Sequence, residues 1–409
     1  MNKLIIIGAG PGGYETALYA AGRGMQVTLI EESHVGGTCL NVGCIPTKTY
    51  VHAASFEEAV ERRPQVIEQL RSGVEQLLTH PNITLIRSHA EFTDAHSLSL
   101  SDGSSLDINC PVIIATGSET KFLPLPDIDD PRLVDSTGML SLTTLPKKLC
   151  IIGAGVIGME FASIFNRFGS EVTVIEYLKE CLPVLDSDIA KRLRKSLEKR
   201  GVTFKMKTTV QSLSDIDADV ILMATGRKPR TEGYGLEKTG VEYSAKGIVV
   251  DDNMQTNVKG IYAIGDVNAR QMLAHAATYQ GRRAVNSILG IKDAIRLDIM
   301  PSAVFTIPEA ASIGLSEDKC KEQAIPFEVH KSFYRANGKA LAMDATEGML
   351  KLMVEPDTGL ILGCHVYGAH AADLVQEVSV LMCRDTTLAE LRDMVHIHPT
   401  LSEVLSNCL

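Results

Sequence analysis

The sequence predicts an α/β fold in which two duplicated Rossmann-like domains precede a C-terminal α+β domain. Three observations support this prediction. A glycine-rich strand–turn–helix–strand pattern occurs twice, each copy ends in an apolar strand with an Ala-Thr-Gly turn, and the last quarter of the chain carries neither feature. A chain of 409 residues is also long enough for several hydrophobic cores.

The first copy occupies the N-terminus, KLIIIGAGPGGYETALYAAGRGMQVTLIEE. Gly8, Gly10 and Gly13 form a G-x-G-x-x-G motif between a β-favouring run and an Ala-rich helix, and Glu31 ends the next strand. Such a turn lets a pyrophosphate approach the backbone at the helix N-terminus, and an acidic residue about 20 positions further on accepts hydrogen bonds from ribose hydroxyls. The pattern therefore predicts a dinucleotide site.

The second copy begins at residue 149 and reads LCIIGAGVIGMEFASIFNRFGSEVTVIE. Its Gly153, Gly155, Gly158 and Glu176 lie 145 residues after their counterparts in the first copy. One such motif is weak evidence, because glycine-rich turns also occur in α/β folds that bind no nucleotide. Two copies at a constant offset, each with its acidic residue, indicate two dinucleotide sites.

The rest of the chain completes this organisation. A later strand-like run at 255–267 ends in Gly-Asp, where Asp266 either bonds ribityl hydroxyls or belongs to a plain turn. Residues 55–78 predict a helix that Pro64 starts or breaks. The expected domains are a first dinucleotide domain at 1–122, a connector with the second at 123–245, a return to the first at 246–296 and an α+β domain at 297–409.

The first copy alone contains an insert, GGTCLNVGCIPTK at 36–48, which carries Cys39 and Cys44. The pair could be a structural disulfide, a metal clip or a redox pair. Nine scattered cysteines do not form a disulfide framework, and no second ligand pair stands at zinc-like spacing. In a helix, residues i and i+5 lie about 8–9 Å apart, whereas a disulfide needs about 4.4–6.8 Å between Cα atoms. We therefore interpret the cysteines as a redox pair in a segment bent at Gly43 and Pro46.

A second reactive pattern lies near the C-terminus, in HIHPTLSEV at 396–404. His398 and Glu403 are separated by a segment that contains Pro399, so a turn can bring the carboxylate to the imidazole. A histidine oriented by a carboxylate suits acid/base chemistry on thiols, because the thiolate is the reactive form. His396 is interpreted as part of a surface histidine pair.

Charge and hydropathy exclude some classes of partner. A net charge of −10 argues against nucleic acid and anionic membranes as the main partners. No stretch approaches the roughly 18 apolar residues that span a bilayer, and the N-terminal run passes directly into the glycine motif, as a buried strand does. We expect a cytoplasmic protein without a metal site.

These motifs together resemble those of the flavin-dependent pyridine nucleotide-disulfide oxidoreductases, and within them the dihydrolipoamide dehydrogenases. The resemblance extends over essentially the whole chain and keeps the order of the family. It depends on the motifs GAGPGGYE, GGTCLNVGCIPTK, ATGS, GAGVIGME, ATGRKP, GIYAIGDV, MLAHAA and HIHPTLSE.

The resemblance implies that the first copy binds FAD and the second binds NAD. The family pattern assigns the FAD contacts to Gly8, Gly10, Gly13, Glu31, Lys48, Ala90, Thr116, Gly117, Ser118, Asp266, Met272, Leu273, Ala274 and His275. It assigns the NAD contacts to Gly153, Gly155, Gly158, Glu176 and Gly226.

The same resemblance implies roles for the reactive residues. Cys39 would exchange thiols with the substrate, Cys44 would face the flavin, and Lys48 would pair with Glu160 beside the flavin. The His398–Glu403 pair would act as acid/base on the cysteines of the partner subunit, so that a homodimer with shared active sites is required.

The implied activity is the oxidation of protein-bound dihydrolipoamide with NAD⁺. The lipoyl group would arrive on the lipoyl domain of a 2-oxoacid dehydrogenase or glycine cleavage complex. Glu176 favours NAD, because NADP enzymes of the family carry arginine there, whereas VIEYLKE offers only Lys179.

Two alternatives stay open: a related NAD(P)H-dependent disulfide or mercuric reductase, and a flavin-bearing sensor. The family resemblance also implies a missing segment, because members are usually some tens of residues longer. The shortening is expected around residues 207–222, where a small β-meander normally precedes the Ala-Thr-Gly strand, and again near 78–92.

Overall fold

A computed structural model describes residues 2–408 of the chain. They form two compact units: unit 1 contains the residues up to 121 and 226–297, and unit 2 contains 122–225 and the residues from 298 onward. The chain therefore returns to unit 1 at Gly226, whereas the sequence suggested a domain boundary between residues 245 and 246.

The first part of unit 1 contains the first copy and its insert. Its elements are β1 (Lys3–Ile7), α1 (Pro11–Ala21), β2 (Gln26–Glu31), α2 (Gly37–Val42), α3 (Cys44–His52), α4 (Phe56–Leu77), β3 (Ile83–Arg87), β4 (Ala90–Asp94), β5 (Ser97–Leu100), β6 (Ser105–Asp107), β7 (Val112–Ile114) and β8 (Ser118–Thr120). The expected start or break at Pro64 is wrong, because α4 continues through that residue. Its surroundings are exposed, so water can bond the carbonyl that proline leaves unsatisfied.

The first part of unit 2 contains the second copy. Its elements are β9 (Leu133–Val134), α5 (Ser136–Ser141), β10 (Lys148–Ile152), α6 (Val156–Phe168), β11 (Glu171–Glu176), α7 (Ser187–Lys199), β12 (Thr203–Met206) and β13 (Val220–Met223). They form a parallel sheet in the order β12-β11-β10-β13-β9.

The chain then returns to unit 1 with β14 (Arg227–Pro229), β15 (Tyr243–Ser244), β16 (Gly247–Ile248), β17 (Ile261–Ala263) and α8 (Ala274–Leu289). The main sheet of unit 1 is parallel, in the order β17-β7-β1-β2-β3. Helices α1 and α8 approach closely, since a Cβ atom at Gly281 would lie 1.7 Å from the Thr16 hydroxyl. The return segment therefore completes both the sheet and one of its helical layers.

The C-terminal part of unit 2 is an α+β region. Its elements are β18 (Ser302–Val304), β19 (Glu309–Gly314), α9 (Glu317–Glu322), β20 (Glu328–Phe333), α10 (Gly338–Ala342), β21 (Met349–Val354), β22 (Ile361–Gly368), α11 (Ala371–Cys383), α12 (Leu388–Arg392) and α13 (Glu403–Ser406). The strands form an antiparallel sheet, β18-β19-β22-β21-β20, against which α11 packs. The predicted fold class is confirmed. Within residues 2–408, no helix combines the length and apolarity needed to span a membrane.

The duplication extends to the strand register. Lys3 pairs with Gln26 in the first copy, and Lys148 pairs with Glu171 in the second, each pair 145 residues from its counterpart. The copies differ after their third parallel strand. In the first copy, β4, β5 and β6 form an antiparallel sheet, whereas in the second, residues 207–219 join β12 to β13 without a strand.

Hydrogen bonds to the connector hold this irregular segment. One carboxylate oxygen of Asp127 accepts hydrogen bonds from the hydroxyl of Ser212 at 2.6 Å and from two backbone N–H groups at 2.7 and 2.9 Å. Arg132 donates to the carbonyls of Leu213 and Ile216 at 2.9 and 2.8 Å. Side chains thus replace the strand pairing that the first copy uses.

A buried ion cluster lies at the start of α7. Lys351 Nζ lies 2.8 Å from both carboxylate oxygens of Asp186 and 2.6 Å from Glu317. Asp186 also accepts a hydrogen bond from the backbone N–H of Asp188, so it caps α7. Asp186 and Lys351 are 0% and 1% exposed, so their charges depend on each other for compensation.

Candidate functional site

The two glycine turns have the geometry that a bound dinucleotide requires. A Cβ atom at Gly13 would lie 1.8 Å from the carbonyl oxygen of Gly8, and one at Gly158 would lie 2.0 Å from that of Gly153. By contrast, a Cβ atom at Gly155 would meet nothing within 4 Å. Gly155 is the N-cap of α6, so open space lies before the N–H groups of that helix, which is where the predicted pyrophosphate contact is expected.

The acidic residue of each copy is fixed by backbone N–H groups. Glu31 accepts hydrogen bonds from Ala9 at 2.6 Å and from Ser33 at 2.9 Å. Glu176 repeats this arrangement in its own loop, at 2.6 and 2.8 Å. Each carboxylate oxygen retains a second lone pair for a ribose hydroxyl, so both residues fit the role expected from the sequence.

Three of the predicted FAD contacts, Thr116, Ser118 and Asp266, form hydrogen bonds in unit 1. The Ser118 hydroxyl donates to Asp266 at 2.5 Å, and Thr116 donates to the carbonyl of Arg230 at 2.8 Å. Arg227 donates to the Ser118 hydroxyl at 2.7 Å. Sequence reasoning did not single out Arg227, although it directly follows the second Ala-Thr-Gly turn.

The remaining predicted cofactor contacts lie at the ends of elements in unit 1. Residues 272–275 lead into α8, with Leu273 as its N-cap. Gly117 and Gly226 adopt positive φ angles of 76° and 108° in the two turns. Ala90 begins β4 and is 1% exposed, so its side chain lies within the protein core.

The two cysteines of the insert lie together across a bend. Helix α2 ends before Gly43, whose φ and ψ of −138° and −111° are not helical, and α3 begins at Cys44. A hydrogen bond with the Cys44 thiol and burial both raise the pKa of the Cys39 thiol, and the charge of Lys48 opposes them. The bend expected at Gly43 is present, whereas Pro46 lies inside the first turn of α3.

The insert packs directly on the first glycine turn. A Cβ atom at Gly37 would lie 2.7 Å from the Cα atom of Gly10. Burial, then the neighbouring Glu15 and Cys39, raise the pKa of Tyr14 to about 12. Tyr14 therefore interacts with Cys39 as well as with Glu15, a relation that the sequence did not indicate.

The predicted acid/base pair is formed within unit 2. His398 Nδ1 lies 2.9 Å from Glu403 Oε1, and the backbone N–H of Thr400 donates to Glu403 Oε2 at 2.9 Å. The hydrogen bond with His398, followed by the one from Thr400, lowers the pKa of Glu403. The imidazole of His398 is 79% exposed, so its other nitrogen can meet a group from outside the unit.

The interpretation of His396 as a surface residue is wrong. Its side chain is only 9% exposed, and its Nε2 atom lies 3.2 Å from Glu377 on α11. The apolar neighbours Val395 and Ile397 are instead 98% and 79% exposed. The loop thus turns its first histidine inward and presents an apolar face beside His398.

Two further predicted residues lie in different units. Lys48 is on α3, one turn after Cys44, in unit 1. Glu160 is buried on α6 in unit 2, where it accepts a hydrogen bond from the backbone N–H of Phe305 at 2.9 Å. The ion pair between Lys48 and Glu160 stays a prediction.

Duplicated nucleotide folds, neighbouring thiols in one of them and a histidine–carboxylate pair define the class of flavoprotein disulfide oxidoreductases. The family model described as pyridine nucleotide-disulphide oxidoreductase matches residues 2–281, and its dimerisation domain matches residues 300–408. The chain belongs to this family. It is therefore an oxidoreductase that uses FAD and a pyridine nucleotide and forms a homodimer.

Similar proteins span nearly the same length. Mitochondrial dihydrolipoyl dehydrogenase of Pisum sativum is 37% identical, covering 99% of this chain and 90% of its own. Leghemoglobin reductase of Glycine max is 36% identical over 99% of this chain and 86% of its own. Among solved structures, the HOCl-induced flavoprotein disulfide reductase RclA of Escherichia coli matches with a TM-score of 0.93, 32% identity and 99% of both chains.

Proposed function

We propose that this protein is an NAD-dependent dihydrolipoyl dehydrogenase that oxidises protein-bound dihydrolipoamide to lipoamide. The main support is the hydrogen-bonded His398–Glu403 pair in a chain that also places Cys39 and Cys44 side by side. Two thiols must lose their protons in this reaction, and an oriented imidazole is suited to accept them. The similarity to plant and bacterial enzymes of that name agrees with this proposal.

The proposed reaction consists of two thiol–disulfide exchange steps at Cys39. A substrate thiolate attacks Cys39 Sγ of the oxidised pair, the Cys39–Cys44 bond breaks, and Cys44 leaves as a thiolate. The second substrate thiol then displaces Cys39 and closes the substrate disulfide. His398 Nε2 of the partner subunit accepts the substrate protons, while Glu403 of the partner subunit stabilises the imidazolium. FAD and NAD⁺, when bound, supply the subsequent electron and hydride chemistry.

The preference for NAD follows from the loop after β11. Glu176 is buried and accepts a hydrogen bond from the backbone N–H of Ala154, and in this proposal its carboxylate would also meet the ribose hydroxyls. A 2′-phosphate there would face a negative charge, and the following residues Tyr177 to Glu180 include a single cation, Lys179. We therefore propose NADH rather than NADPH as the reduced nucleotide.

The proposed partner is the lipoyl domain of a 2-oxoacid dehydrogenase or glycine cleavage complex. We place the enzyme in the cytoplasm, because the nine scattered cysteines of the sequence do not form the kind of disulfide framework that is typical of oxidising compartments. The likeness to RclA over 99% of both chains supports a second candidate, a disulfide reductase that acts on another substrate.

A substrate panel tests the proposal. Turnover is measured with NADH and with NADPH, using lipoamide, oxidised glutathione and Hg(II) as acceptors. We expect NADH with lipoamide to be the fastest combination. A flavin-loaded dimer that shows no NADH–lipoamide activity would refute the proposal, and preferential use of another acceptor would favour the second candidate.

A further inference from the structure

Unit 2 contains a cleft whose lining includes none of the predicted catalytic or cofactor-binding residues. Its volume is about 350 Å³, and it lies between α7 and the ends of strands β20 and β21. Helix α7 belongs to the second nucleotide-binding copy, whereas the strands belong to the C-terminal α+β region. The polar walls of the cleft include Arg192, Lys195, Lys199, Arg335, Glu347 and Tyr367.

The charge of this cleft opposes that of the whole protein. Four cationic side chains and one carboxylate line it, although the chain carries a net charge of −10. Arg192 is paired with Asp188 at 3.0 Å. Lys195, Lys199 and Arg335 form no ion pair among residues 2–408. Three exposed cations therefore line one concave space in which Glu347 is the single carboxylate.

The helix spacing explains why the cations converge. Arg192, Lys195 and Lys199 follow one another at intervals of three and four residues, which places them on one face of α7. Like charges at these intervals are mildly destabilising in a helix. Arg335 approaches from the opposite wall, where its guanidinium lies 5.0 Å from the centre of the Phe333 ring.

The single acidic residue is already satisfied by its neighbours. Tyr367 donates a hydrogen bond to Glu347, and Arg200 lies 3.3 Å from the same carboxyl group. Burial would raise the pKa of Glu347, but the bond from Tyr367 and nearby cations hold it below its ordinary value. Ser196, which also lines the cleft, lies beside this carboxylate, yet its Oγ has no well-formed hydrogen bond among the described residues.

We propose that this cleft binds a small molecule that carries a diphosphate group. Arginine binds phosphate through a planar fork of N–H donors, and lysine supplies point charges, so Arg335 with Lys195 and Lys199 matches the charge of a diphosphate. The volume lies at the lower end of the range of about 300–1,000 Å³ that is typical of small-molecule sites. A ligand there would contact both α7 and the C-terminal strands.

Isothermal titration of the FAD-loaded dimer with inorganic pyrophosphate tests this inference. The buffer contains low salt, no divalent metal and saturating NAD⁺, so that the glycine turns are already occupied. We expect saturable binding that Lys195→Gln and Arg335→Gln each weaken by about tenfold, because each removes a charge-assisted hydrogen bond. Lys191→Gln is the matched control, since this exposed lysine of α7 does not line the cleft.

Three results would overturn the proposal. The first is the absence of saturable binding at millimolar pyrophosphate. The second is an equal loss of affinity in Lys191→Gln, which would indicate non-specific attraction to a basic helix. The third is tighter binding of a poly-glutamate peptide than of pyrophosphate, which would identify the cleft as part of a protein-docking surface. The midpoint of thermal unfolding is measured for each variant to verify that the variant remains folded.

Discussion

The two nucleotide-binding copies share a scaffold and differ in what has been added to it. Their central strands pair in the same register, and both acidic residues are held by backbone N–H groups at the same two distances to within 0.1 Å. Only the first copy carries the cysteine insert and a three-stranded antiparallel sheet. The comparison indicates that nucleotide binding belongs to the shared scaffold, whereas the proposed redox thiols lie in a segment of 13 residues at 36–48 that the first copy alone contains.

The contrast also appears at the glycine turns. Gly10 of the first copy faces Gly37 of the insert, since a Cβ atom placed at Gly10 would lie 3.9 Å from the Cα atom of Gly37. A Cβ atom placed at Gly155 of the second copy would meet no atom of the described residues within 4 Å. The insert thus adjoins the first glycine turn, while the turn of the second copy is open in front of Gly155.

Removing the thiol that distinguishes the first copy should have the largest effect. We expect Cys44→Ser to reduce NADH–lipoamide turnover to less than about a thousandth of the wild-type rate, because no disulfide can form. NAD⁺ affinity, a property of the second copy, should stay unchanged. Steady-state kinetics and NAD⁺ titration measure both quantities. Cys110→Ser is the control in the same unit, and turnover of Cys44→Ser within tenfold of wild type would contradict the assignment.

Replacing the proposed acid/base His398 should slow the thiol–disulfide exchange with lipoamide without slowing the reduction of the flavin by NADH. We expect His398→Ala to slow lipoamide turnover by about 10²–10⁴-fold, the usual contribution of a general acid/base. Reduction of the bound flavin by NADH, followed by stopped-flow absorbance, should proceed at nearly the wild-type rate. If both rates fall together, the histidine has a structural role instead.

Matched glycine substitutions should distinguish the two nucleotide sites. Gly155→Ala adds a methyl group that meets only open space, so the protein folds and the KM for NADH rises by about tenfold. Gly10→Ala should instead lower the FAD content and leave the KM for NADH unchanged. Flavin absorbance per subunit and steady-state kinetics measure the two effects. Loss of FAD from Gly155→Ala would show that the copies are not independent.

The smallest effect is expected at the segment that replaces the antiparallel sheet in the second copy. Hydrogen bonds, first from Ser212, lower the pKa of Asp127, so its ionised form stabilises the folded state at neutral pH. This contribution is lost as the pH falls from the ordinary aspartate pKa through the lowered one. Asp127→Asn should therefore reduce the melting temperature by a few degrees at pH 7, and the difference from wild type should shrink on acidification. Asp129→Asn is the neighbouring control, and a constant difference across pH would exclude the charge as the cause.

Local patterns predicted the features that depend on short stretches of chain. The glycine turns, the bend at Gly43 and the turn that joins His398 to Glu403 all involve residues close in sequence. Features that depend on tertiary surroundings were missed. The exposure of α4 lets it continue through Pro64, and contact with Glu377 turns His396 inward. Neither effect is visible in the residues themselves.

The return of residues 226–297 to unit 1 was only partly predictable for the same reason. The sequence indicated that a later segment, expected from residue 246, rejoins the first domain, and the compact unit includes the chain from Gly226. The pairing of β14 with β8 begins at Arg227, and such a pairing across more than a hundred residues leaves no local signal.

The buried cluster of Asp186, Glu317 and Lys351 has a consequence for protein engineering and for evolution. Asp186 and Lys351 are fully buried and paired with each other, whereas Glu317 is partly exposed and also pairs with Lys321, so the loss of either Asp186 or Lys351 would leave an uncompensated charge in the interior. Positions 186 and 351 should therefore be inherited as a pair, and drift at one requires a matching replacement at the other. A chimera that exchanges residues 122–225 for those of a relative must transfer the matching residue at 351 with them.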